Sequence, residues 1–446
     1  MATKYFGTDG VRGVANETLT AKMAYRIGRY LGQYPSGKKN KVLLCRDTRL
    51  SGEMLKAALL SGLLASGAEV YDEDISTTPS ISYLVVKEKF DFGVMISASH
   101  NPFYDNGIKV FNRLGEKLES EVEEKIEGYM DRVADDLPSP SKEAVGHVHD
   151  GDYLKKEYID WLATKATAKY SSLKVLVDCA NGSASFVAPL LYQKIGLDAD
   201  FINASPDGVN INAACGSTHM EGLIAKFKKG GYDLAFAFDG DSDRFMALAP
   251  DGRLIDGDAL IYLNALSLKK AGQLHDNKVV VTVMSNFGLR KVLEEKGVGY
   301  DVVAVGDKNV QARLKEKNLS IGGEQSGHVI FLKDLNTGDG LLSSIKLLNL
   351  YLKEKKIFAQ LKDFVVYPQV LKNVTFASRA VLDKTANDVT LKSRIAQEEK
   401  TLDGHGRILV RASGTEPLLR VMAEADTIDR CQAVVDKIIG WIGEVR

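Results

Sequence analysis

Three stretches of the sequence begin in the same way, with a short run of apolar residues that ends in polar, turn-forming residues. They read KVLLCRDTR from Lys41, KVLVDCANG from Lys174 and KVVVTVMSN from Lys278. Runs of this length, rich in β-branched and aliphatic residues, are typical of buried strands. The first run is followed by SGEMLKAALLSGLLASG, for which we predict a helix with Ser51 as its N-cap and a glycine at its end. Each stretch is therefore predicted to be a strand–helix unit.

A second apolar run follows in each stretch and ends in a polar loop that contains glycine or proline. The three runs read FGVMISASHNP at 92–102, DLAFAFDGDSDR at 233–244 and LSIGGEQSGH at 319–328. Strands that alternate with helices predict sheets wrapped by helices, whose ligand sites lie beyond the carboxyl ends of the strands. We therefore predict three related α/β domains with mixed or parallel sheets, and we expect these loops to carry the chemistry.

The C-terminal part follows a different pattern. RILVRASGTEPLLRVMAEA at 407–425 predicts two strands around a glycine-containing turn, and a helix is predicted over 426–442. This pattern indicates a smaller α+β domain. Turn-rich candidate joints lie at 131–150, 250–258 and 358–373. The predicted domains are residues 1–148, 149–252, 253–364 and 365–446.

Composition and charge narrow the class of protein. The chain has 446 residues, of which 45% are hydrophobic and 26% charged, so it can build several cores. Lys and Arg number 58 against 59 Asp and Glu, a balance that argues against a general nucleic-acid binder. No apolar stretch approaches 18 residues, the N-terminus lacks an apolar signal core, and the four cysteines form no CxxC pair. We expect a cytoplasmic protein with no membrane partner.

The densest acidic cluster follows the apolar run of the second stretch. Asp239, Asp241 and Asp243 stand at alternate positions, and converging carboxylates are ligands that Mg²⁺ prefers. An EF-hand is excluded because Arg244 occupies the position of its invariant glycine. A solvated acidic turn is the alternative interpretation.

Two further loops suit phosphate chemistry. SASHNP at 97–102 offers a serine as a phosphoryl carrier, although a plain turn would use the same residue types equally well. RASGTEP at 411–417 lies between Arg411 and Arg420, and a tight turn flanked by guanidinium groups can bind phosphate. The alternative there is an ordinary β-hairpin turn.

The loop of the third stretch carries polar groups that suit a sugar. In GGEQSGH, Glu324 and Ser326 can bind sugar hydroxyls or an amino group, whereas His328 is predicted to be structural. GSTH at 216–219 and HVH at 147–149 lack an evident third metal ligand, and we predict both to be loops.

Six motifs in order give the chain a resemblance to a known family. They are FGTDGVRG at 6–13, GVMISASHNP at 93–102, DNGIK at 105–109, DGDSDR at 239–244, GGEQSGH at 322–328 and RASGTEP at 411–417. The chain resembles the bacterial phosphoglucosamine mutases of the α-D-phosphohexomutase superfamily over nearly all its length. The resemblance implies a heart-shaped enzyme of four domains that interconverts glucosamine 6-phosphate and glucosamine 1-phosphate, for UDP-N-acetylglucosamine and cell-wall synthesis. It further implies a phosphoserine enzyme, a bisphosphorylated sugar intermediate and a hexosamine phosphate as ligand, with a homodimer as one candidate assembly.

The resemblance also implies residue roles. The phosphoserine falls on Ser99, not Ser97, and one Mg²⁺ is implied on phospho-Ser99, Asp239, Asp241 and Asp243. Lys109 and Arg244 are favoured as acid and base, with His100 in a supporting role. Arg12 either steadies the phosphoserine or pairs with Asp9. The implied substrate-binding residues are Glu324, Ser326, Lys308, Arg411, Ser413, Gly414, Thr415 and Arg420. Lys308 stands where the family pattern leads us to expect an arginine, and Ala412 stands where proline is common.

Three other functions remain open from the sequence. An apolar strand that runs into Asp-Xaa-Asp also begins haloacid-dehalogenase-type phosphatases, with Asp239 as nucleophile, although Asp243 departs from their pattern. A sugar-phosphate sensor without catalysis is a second alternative. Within the superfamily, a phosphoglucomutase or phosphomannomutase is the third.

Overall fold

The computed structural model describes residues 4–7, 9–34, 39–413 and 417–445. Contacts divide the chain into two compact units. The first unit comprises residues 1–284 and 298–359, and the second comprises residues 285–297 and 360–446.

The first sheet of the first unit has seven strands. Its region contains β1 (Phe6–Gly7), β2 (Gly10–Val14), α1 (Ala21–Gln33), β3 (Lys41–Arg46), α2 (Gly52–Ala65), β4 (Glu69–Ile75), α3 (Thr78–Lys87), β5 (Phe92–Ile96), β6 (Asp105–Asn112), α4 (Ser120–Met130), β7 (His147–Asp150) and α5 (Asp152–Ala163). The strand order is β1-β2-β6-β5-β3-β4-β7. Strands β5, β3, β4 and β7 run parallel, and β6 pairs antiparallel with β5.

Close packing of α1 on α2 covers this sheet. Both helices place leucine and isoleucine side chains against β3 and β5 in one buried core. A Cβ on Gly28 would lie 2.2 Å from the Leu59 carbonyl oxygen, and one on Gly62 would lie 2.1 Å from the Tyr25 carbonyl oxygen. Two glycines therefore allow the helix backbones to approach each other this closely.

The second sheet has five strands. Its elements are β8 (Lys174–Asp178), α6 (Ala184–Lys194), β9 (Asp198–Ile202), α7 (Glu221–Phe227), β10 (Leu234–Phe238), β11 (Phe245–Leu248) and β12 (Leu254–Ile255). The order is β12-β11-β10-β8-β9, in which β10, β8 and β9 are parallel and β11 is antiparallel to β10.

The third sheet has four strands in the order β14-β13-β15-β16. Its region contains α8 (Gly257–Lys270), β13 (Lys278–Thr282), α9 (Phe287–Glu295), β14 (Gly299–Val303), α10 (Asp307–Lys317), β15 (Ile321–Gly323), β16 (Val329–Phe331) and α11 (Gly340–Lys353). Of these elements, α9 belongs to the second unit.

The three sheets repeat one arrangement. Each contains three parallel strands followed by an antiparallel fourth, in the orders β6-β5-β3-β4, β11-β10-β8-β9 and β16-β15-β13-β14. The loop that precedes the antiparallel strand is therefore equivalent in all three sheets. This confirms the prediction of three related α/β domains with mixed sheets.

The second unit is smaller and is built on an antiparallel sheet. Its elements besides α9 are β17 (Gln369–Thr375), α12 (Arg379–Ala386), α13 (Val389–Lys400), β18 (Gly406–Ala412), β19 (Leu418–Ala425) and α14 (Ile428–Val445). The order is β17-β19-β18, and α14 packs its apolar face on the sheet. Glu424 accepts from the Phe287 backbone N–H of α9 and pairs with Arg407. The predicted α+β character of the C-terminal part is confirmed.

One local prediction is wrong. His147 and His149 lie on β7, which pairs with β4 of the first sheet, so HVH is a strand and not a loop. Ser51 is the N-cap residue of α2 as predicted, but its side chain makes no capping hydrogen bond, and its hydroxyl accepts from Asn106 Nδ2. The exact domain boundaries stay predictions.

Candidate active site

Equivalent loops of the three sheets carry the predicted site residues. Residues 97–104 connect β5 to β6, residues 239–244 connect β10 to β11, and residues 324–328 connect β15 to β16. All three loops follow the carboxyl end of a parallel strand, where α/β proteins place their ligands.

Ser99 lies at the meeting point of the first two loops. Its hydroxyl donates to Asp239 Oδ2 at 2.6 Å, and His100 Nδ1 lies 3.3 Å from Ser99 Oγ. Ser97 faces elsewhere, since its hydroxyl donates to Asp47 Oδ2 at 2.6 Å. Of the two serines in SASHNP, Ser99 is therefore the one that reaches the aspartates.

Gly240 allows the second loop to lie against the first. A Cβ on this residue would stand 2.6 Å from the Ser99 carbonyl oxygen and 2.8 Å from Ile211 Cδ1. A larger residue would push the aspartate loop away from the serine.

The three aspartates form a buried group that fits a divalent cation. Each of Asp239, Asp241 and Asp243 offers an oxygen, and these oxygens lie within 4.8 Å of one another. Oδ1 of Asp241 and Oδ1 of Asp243 are buried without a hydrogen-bond partner among the described residues. A buried unpaired carboxylate oxygen is costly, and coordination to Mg²⁺ removes that cost. The solvated-turn interpretation is wrong, because these three residues are at most 6% exposed.

The mutual repulsion of the aspartates changes their protonation. Burial raises the pKa of Asp239 well above its usual range, and the neighbouring Asp243 and Asp241 raise it further. Burial also acts on Asp243, but Lys109 and His328 hold its pKa well below its usual range. Burial and charge repulsion therefore disfavour the carboxylate form of Asp239, and a bound cation would stabilise that form.

Lys109 is the principal countercharge. Its Nζ lies 2.7 Å from Asp241 Oδ2, 3.0 Å from Asp9 Oδ2 and 3.7 Å from Asp243 Oδ2. Burial lowers the pKa of Lys109, but the three carboxylates outweigh burial and raise it above its usual range. Lys109 is thus an ammonium ion in this arrangement.

Two arginines and a neutral histidine lie beside the aspartates and Ser99. Arg12 forms an ion pair with Asp9, and its Nε is buried without a partner among the described residues. Arg244 donates its backbone N–H to Asp239 Oδ1 at 3.1 Å. Burial, followed by the positive charges of Arg244 and Arg12, lowers the pKa of His100 to about 4. The imidazole of His100 is therefore neutral at pH 7 and can accept a proton.

The third loop contributes Glu324 and Ser326. Glu324 accepts from the Gly306 backbone N–H at 2.8 Å, and Ser326 Oγ lies 3.4 Å from Glu324 Oε2. His328 is buried, accepts from the Gly338 backbone N–H at Nε2 and faces Asp243 at 3.6 Å through Nδ1. The predicted structural character of His328 is consistent with these contacts.

Lys308 is occupied by a contact that the sequence did not predict. Its Nζ lies 2.6 Å from Glu123 Oε1 of α4 and 3.2 Å from the Leu118 carbonyl oxygen. The structure therefore does not present this ammonium group free to a substrate.

The second unit carries the candidate phosphate loop. Arg411 of β18 and Arg420 of β19 face each other in register. Burial and the charge of Arg420 lower the pKa of Arg411, and Arg420 Nε is buried without a partner among the described residues. Ser413 donates its N–H to the Leu418 carbonyl oxygen. Gly414 and Thr415 lie outside the described residues. Two guanidinium groups in this arrangement suit an anion.

The contacts of Asp9 with two lysines and of Thr78 with Asp241 were not predicted from the sequence, which indicated Asp9 only as a candidate partner of Arg12. Asp9 contacts both Lys109 and Lys117, and the Thr78 hydroxyl donates to Asp241. Gly7 and Gly10 flank Asp9 in the GTDG segment, and this placement was the one available sign in the sequence that Asp9 belongs to the site. Thr78 begins a helix far from Asp241 in the sequence, and no local pattern indicates its contact.

Comparison with known protein families accounts for almost the whole chain. Residues 3–136, 156–252 and 256–366 match the α/β/α domains I, II and III of phosphoglucomutase/phosphomannomutase, and residues 348–440 match the C-terminal domain. Phosphoglucosamine mutase of Lachnoclostridium phytofermentans is 46% identical over 98% of this chain and 97% of its own length. The chain belongs to the phosphoglucomutase/phosphomannomutase family. The haloacid-dehalogenase alternative is therefore wrong.

Other relatives and solved structures are similar to this chain over nearly its whole length. Phosphoglucosamine mutase of Bacillus cereus is 44% identical over 98% of this chain and 97% of its own. A family protein of Burkholderia thailandensis shares the fold with a TM-score of 0.82 at 24% identity, over 100% of this chain and 98% of that chain. N-acetylphosphoglucosamine mutase of Aspergillus fumigatus, solved with GlcNAc-6P and magnesium, shares the fold with a TM-score of 0.69 at 19% identity, over 100% and 96% of the two chains.

Across the described residues, no helix has the length and apolar character needed to cross a bilayer.

Proposed function

We propose that this protein is a phosphoglucosamine mutase, which interconverts glucosamine 6-phosphate and glucosamine 1-phosphate and so supplies UDP-N-acetylglucosamine synthesis. The curated relatives that carry this name are 44–46% identical over 98% of the chain. The observation that carries the proposal is the 2.6 Å contact between the Ser99 hydroxyl and the buried Asp239. This contact joins a phosphoryl carrier to the group that fits a cation.

The reaction is two phosphoryl transfers of opposite direction. In the first, a hydroxyl oxygen of the sugar monophosphate bonds to the phosphorus on phospho-Ser99, and the bond from Ser99 Oγ to phosphorus breaks. Ser99 recovers a proton, and the hydroxyl loses one. In the second, Ser99 Oγ attacks the other phosphate of the bisphosphorylated sugar, and the isomeric monophosphate leaves. Atoms and charge balance over the cycle.

Charge neutralisation is the main requirement of this chemistry, because the moving phosphoryl group is highly charged in its transition state. Phosphoserine adds about −1.5 to −2 charges next to the aspartates at neutral pH. When bound by Asp239, Asp241, Asp243 and phospho-Ser99, Mg²⁺ would offset this repulsion and the developing charge. Lys109 and Arg12, both from the first domain, supply positive charge beside the site through their ion pairs with Asp241 and Asp9.

Proton transfer is assigned to the groups nearest Ser99. His100 is neutral at pH 7 and 3.3 Å from the serine oxygen, so it can accept the proton. Lys109 is protonated and suits the acid role. These two observations support His100 as the base, a larger role than the supporting one that the family resemblance implied. The assignment of acid and base stays a prediction.

Substrate recognition is proposed for two further loops. Glu324 and Ser326 present oxygens that can bind sugar hydroxyls or an ammonium group. Arg411, Ser413 and Arg420 are proposed to bind a phosphate group that does not react, with Gly414 and Thr415 completing their loop. We also propose a cytoplasmic location, since the four cysteines are unpaired and buried.

A coupled mutase assay combined with peptide mapping tests the proposal. Purified protein should carry phosphate on the peptide that contains Ser99, and kcat/KM should be highest for glucosamine 6-phosphate among the three hexose 6-phosphates. A preference for glucose or mannose 6-phosphate would favour the phosphoglucomutase/phosphomannomutase alternative. Tight binding of these sugars without isomerisation would favour a sensor.

A further inference from the structure

A buried ion pair lies directly beneath the Ser99 loop and takes no part in the reaction as described above. Asp47 and Arg49 follow β3, and both side chains are 0% exposed. Arg49 Nε donates to Asp47 Oδ2 at 2.9 Å, and the Arg49 backbone N–H donates to Asp47 Oδ1 at 2.9 Å. A buried ion pair is a poor source of stability compared with apolar packing. Its placement therefore calls for another explanation.

The remaining N–H groups of the Arg49 guanidinium group donate to backbone carbonyl oxygens of the 99–105 loop. Nη2 donates to the carbonyl oxygens of Ser99 at 3.0 Å and Asn101 at 2.8 Å. Nη1 donates to the carbonyl oxygens of Pro102 and, at 3.0 Å, Asp105. With the bond from Nε to Asp47, all five N–H donors of the guanidinium group are engaged. An ammonium group has three donors and cannot reproduce this fixed set of contacts.

The loop that Arg49 binds has a strained residue at its start. Ser99 has φ 53°, in the left-handed region that L-residues other than glycine, asparagine and aspartate seldom adopt. Such a conformation is strained and persists where surrounding contacts enforce it. The left-handed backbone directs the Ser99 hydroxyl to Asp239.

Asp47 reaches the same residue by a second route. The Ser97 hydroxyl donates to Asp47 Oδ2 at 2.6 Å and accepts from the Ser99 backbone N–H at 2.9 Å. The ion pair therefore holds Ser99 from both sides, its N–H through Ser97 and its carbonyl through Arg49. Asn212 Nδ2 adds a contact to the Ser99 carbonyl oxygen at 2.9 Å.

We propose that Arg49, fixed by Asp47, is a positioning residue that keeps Ser99 in its left-handed conformation and so aims the carrier hydroxyl at the aspartates. The inference rests on the proposed function for its effect on rate. Loss of Arg49 allows the 99–105 loop to relax, which moves the reacting oxygen without changing the groups that bind the sugar. The expected signature is a lower kcat at unchanged KM.

Arg29 offers a matched control for the substitution Arg49→Lys. It is also buried, forms an ion pair with Asp135 and donates to the carbonyl oxygens of Ala65, Leu137 and Pro138, remote from the Ser99 loop. We expect Arg49→Lys to lower kcat about 10²-fold with KM within about threefold of wild type. Arg29→Lys should keep kcat within about threefold of wild type, even if its melting temperature falls as far.

Hydrogen exchange of the peptide over 97–106, followed by mass spectrometry, gives a readout that does not depend on turnover. Exchange should accelerate in Arg49→Lys and stay at the wild-type rate in Arg29→Lys. Wild-type exchange and wild-type kcat in folded Arg49→Lys would overturn the inference, as would equal loss of kcat in both variants.

Ser97→Ala keeps the inference testable if Arg49→Lys does not fold. This variant removes one hydroxyl between Asp47 and the Ser99 N–H, and we expect kcat to fall about tenfold at unchanged KM. Unchanged kcat with unchanged exchange of the loop would contradict the proposal. If the wild-type protein shows no mutase activity, the proposed function fails, whereas the exchange experiment still decides whether Arg49 holds the loop.

Discussion

The loop between β10 and β11 gathers three carboxylates, and the hairpin of β18 and β19 places two guanidinium groups opposite each other. The surroundings of these two like-charged groups differ. Lys109 and His328 face the carboxylates, whereas the described residues around Arg411 and Arg420 provide no carboxylate at ion-pair distance. Among the described residues, the protein supplies positive groups against the carboxylates but no negative group against the two guanidinium groups. We propose that a divalent cation completes the charge balance of the first group, and that a phosphate of the ligand supplies the countercharge of the second.

Ser99→Ala provides the strongest test of the catalytic side of this comparison. Removal of the carrier oxygen should lower kcat by at least about 10⁴-fold, because no other hydroxyl contacts Asp239 among the described residues. A coupled mutase assay measures this loss, and isothermal titration should show that substrate still binds. Ser97→Ala, by contrast, should still incorporate phosphate on the peptide that contains Ser99. Near-normal turnover of Ser99→Ala would remove Ser99 from the role of carrier.

Metal removal tests whether the carboxylates need a cation as the arginines need an anion. Chelation should lower the rate at least about 10³-fold, and Mg²⁺ should restore it, because Lys109 and His328 offset only part of the repulsion among the aspartates and phosphoserine. Asp243→Asn should weaken Mg²⁺ binding in a titration, whereas Asp251→Asn, on an exposed turn of the same domain, should not. Full activity in excess chelator would contradict the metal assignment.

Glu73 is a buried carboxyl outside both regions, and it shows the effect of burial on a pKa. Burial raises the pKa of Glu73 from 4.5 to about 7, although Ser76 and Cys45 donate hydrogen bonds to it. A folded-state pKa above the unfolded value contributes stability below pH 4.5 that is lost as the pH rises to about 7. Wild-type protein should therefore lose about 3 kcal/mol of unfolding free energy over this interval from Glu73 alone.

Glu73→Gln should abolish that part of the pH dependence in urea unfolding measured at pH 4.5, 6 and 8. The exposed Glu53→Gln is the control and should leave the profile as in wild type. Parallel profiles of wild type and Glu73→Gln would show that Glu73 titrates normally.

Arg420→Gln should produce the smallest effect and separates binding from stability. Loss of one charge-assisted contact should raise KM about 10- to 100-fold, with kcat little changed. Because Arg411 and Arg420 repel each other across the strands, the variant should gain about 0.2–1 kcal/mol in unfolding free energy. Arg430→Gln, at a half-buried arginine of the same unit that contacts Asp426 and the Thr401 carbonyl oxygen, should leave KM unchanged. An unchanged KM in Arg420→Gln would argue against phosphate binding by this pair.

Local motifs were enough to select the candidate residues. The aspartates and the Arg411–Arg420 loop each occupy a short segment whose residue types suit a metal or a phosphate, whereas Ser99 was selected through the family resemblance. The partners of these residues were not predictable. Asp9, Thr78 and Glu123 contact Lys109, Asp241 and Lys308, each from a segment distant in the sequence. No local pattern indicates the contacts of Thr78 and Glu123, and the glycines that flank Asp9 do not indicate its partner.

The sequence by itself determined the repeated strand–helix order, because apolar runs and the polar loops after them are properties of neighbouring residues. It also determined which loops could carry phosphate chemistry. Tertiary structure decided that the Ser99 hydroxyl contacts Asp239 while Ser97 contacts Asp47, that Lys308 is bound to Glu123, and that Arg49 binds the backbone of the 99–105 loop. These outcomes depend on distances between segments separated by up to about 190 residues, and charge and hydrogen-bond energies are fixed by such distances rather than by order along the chain.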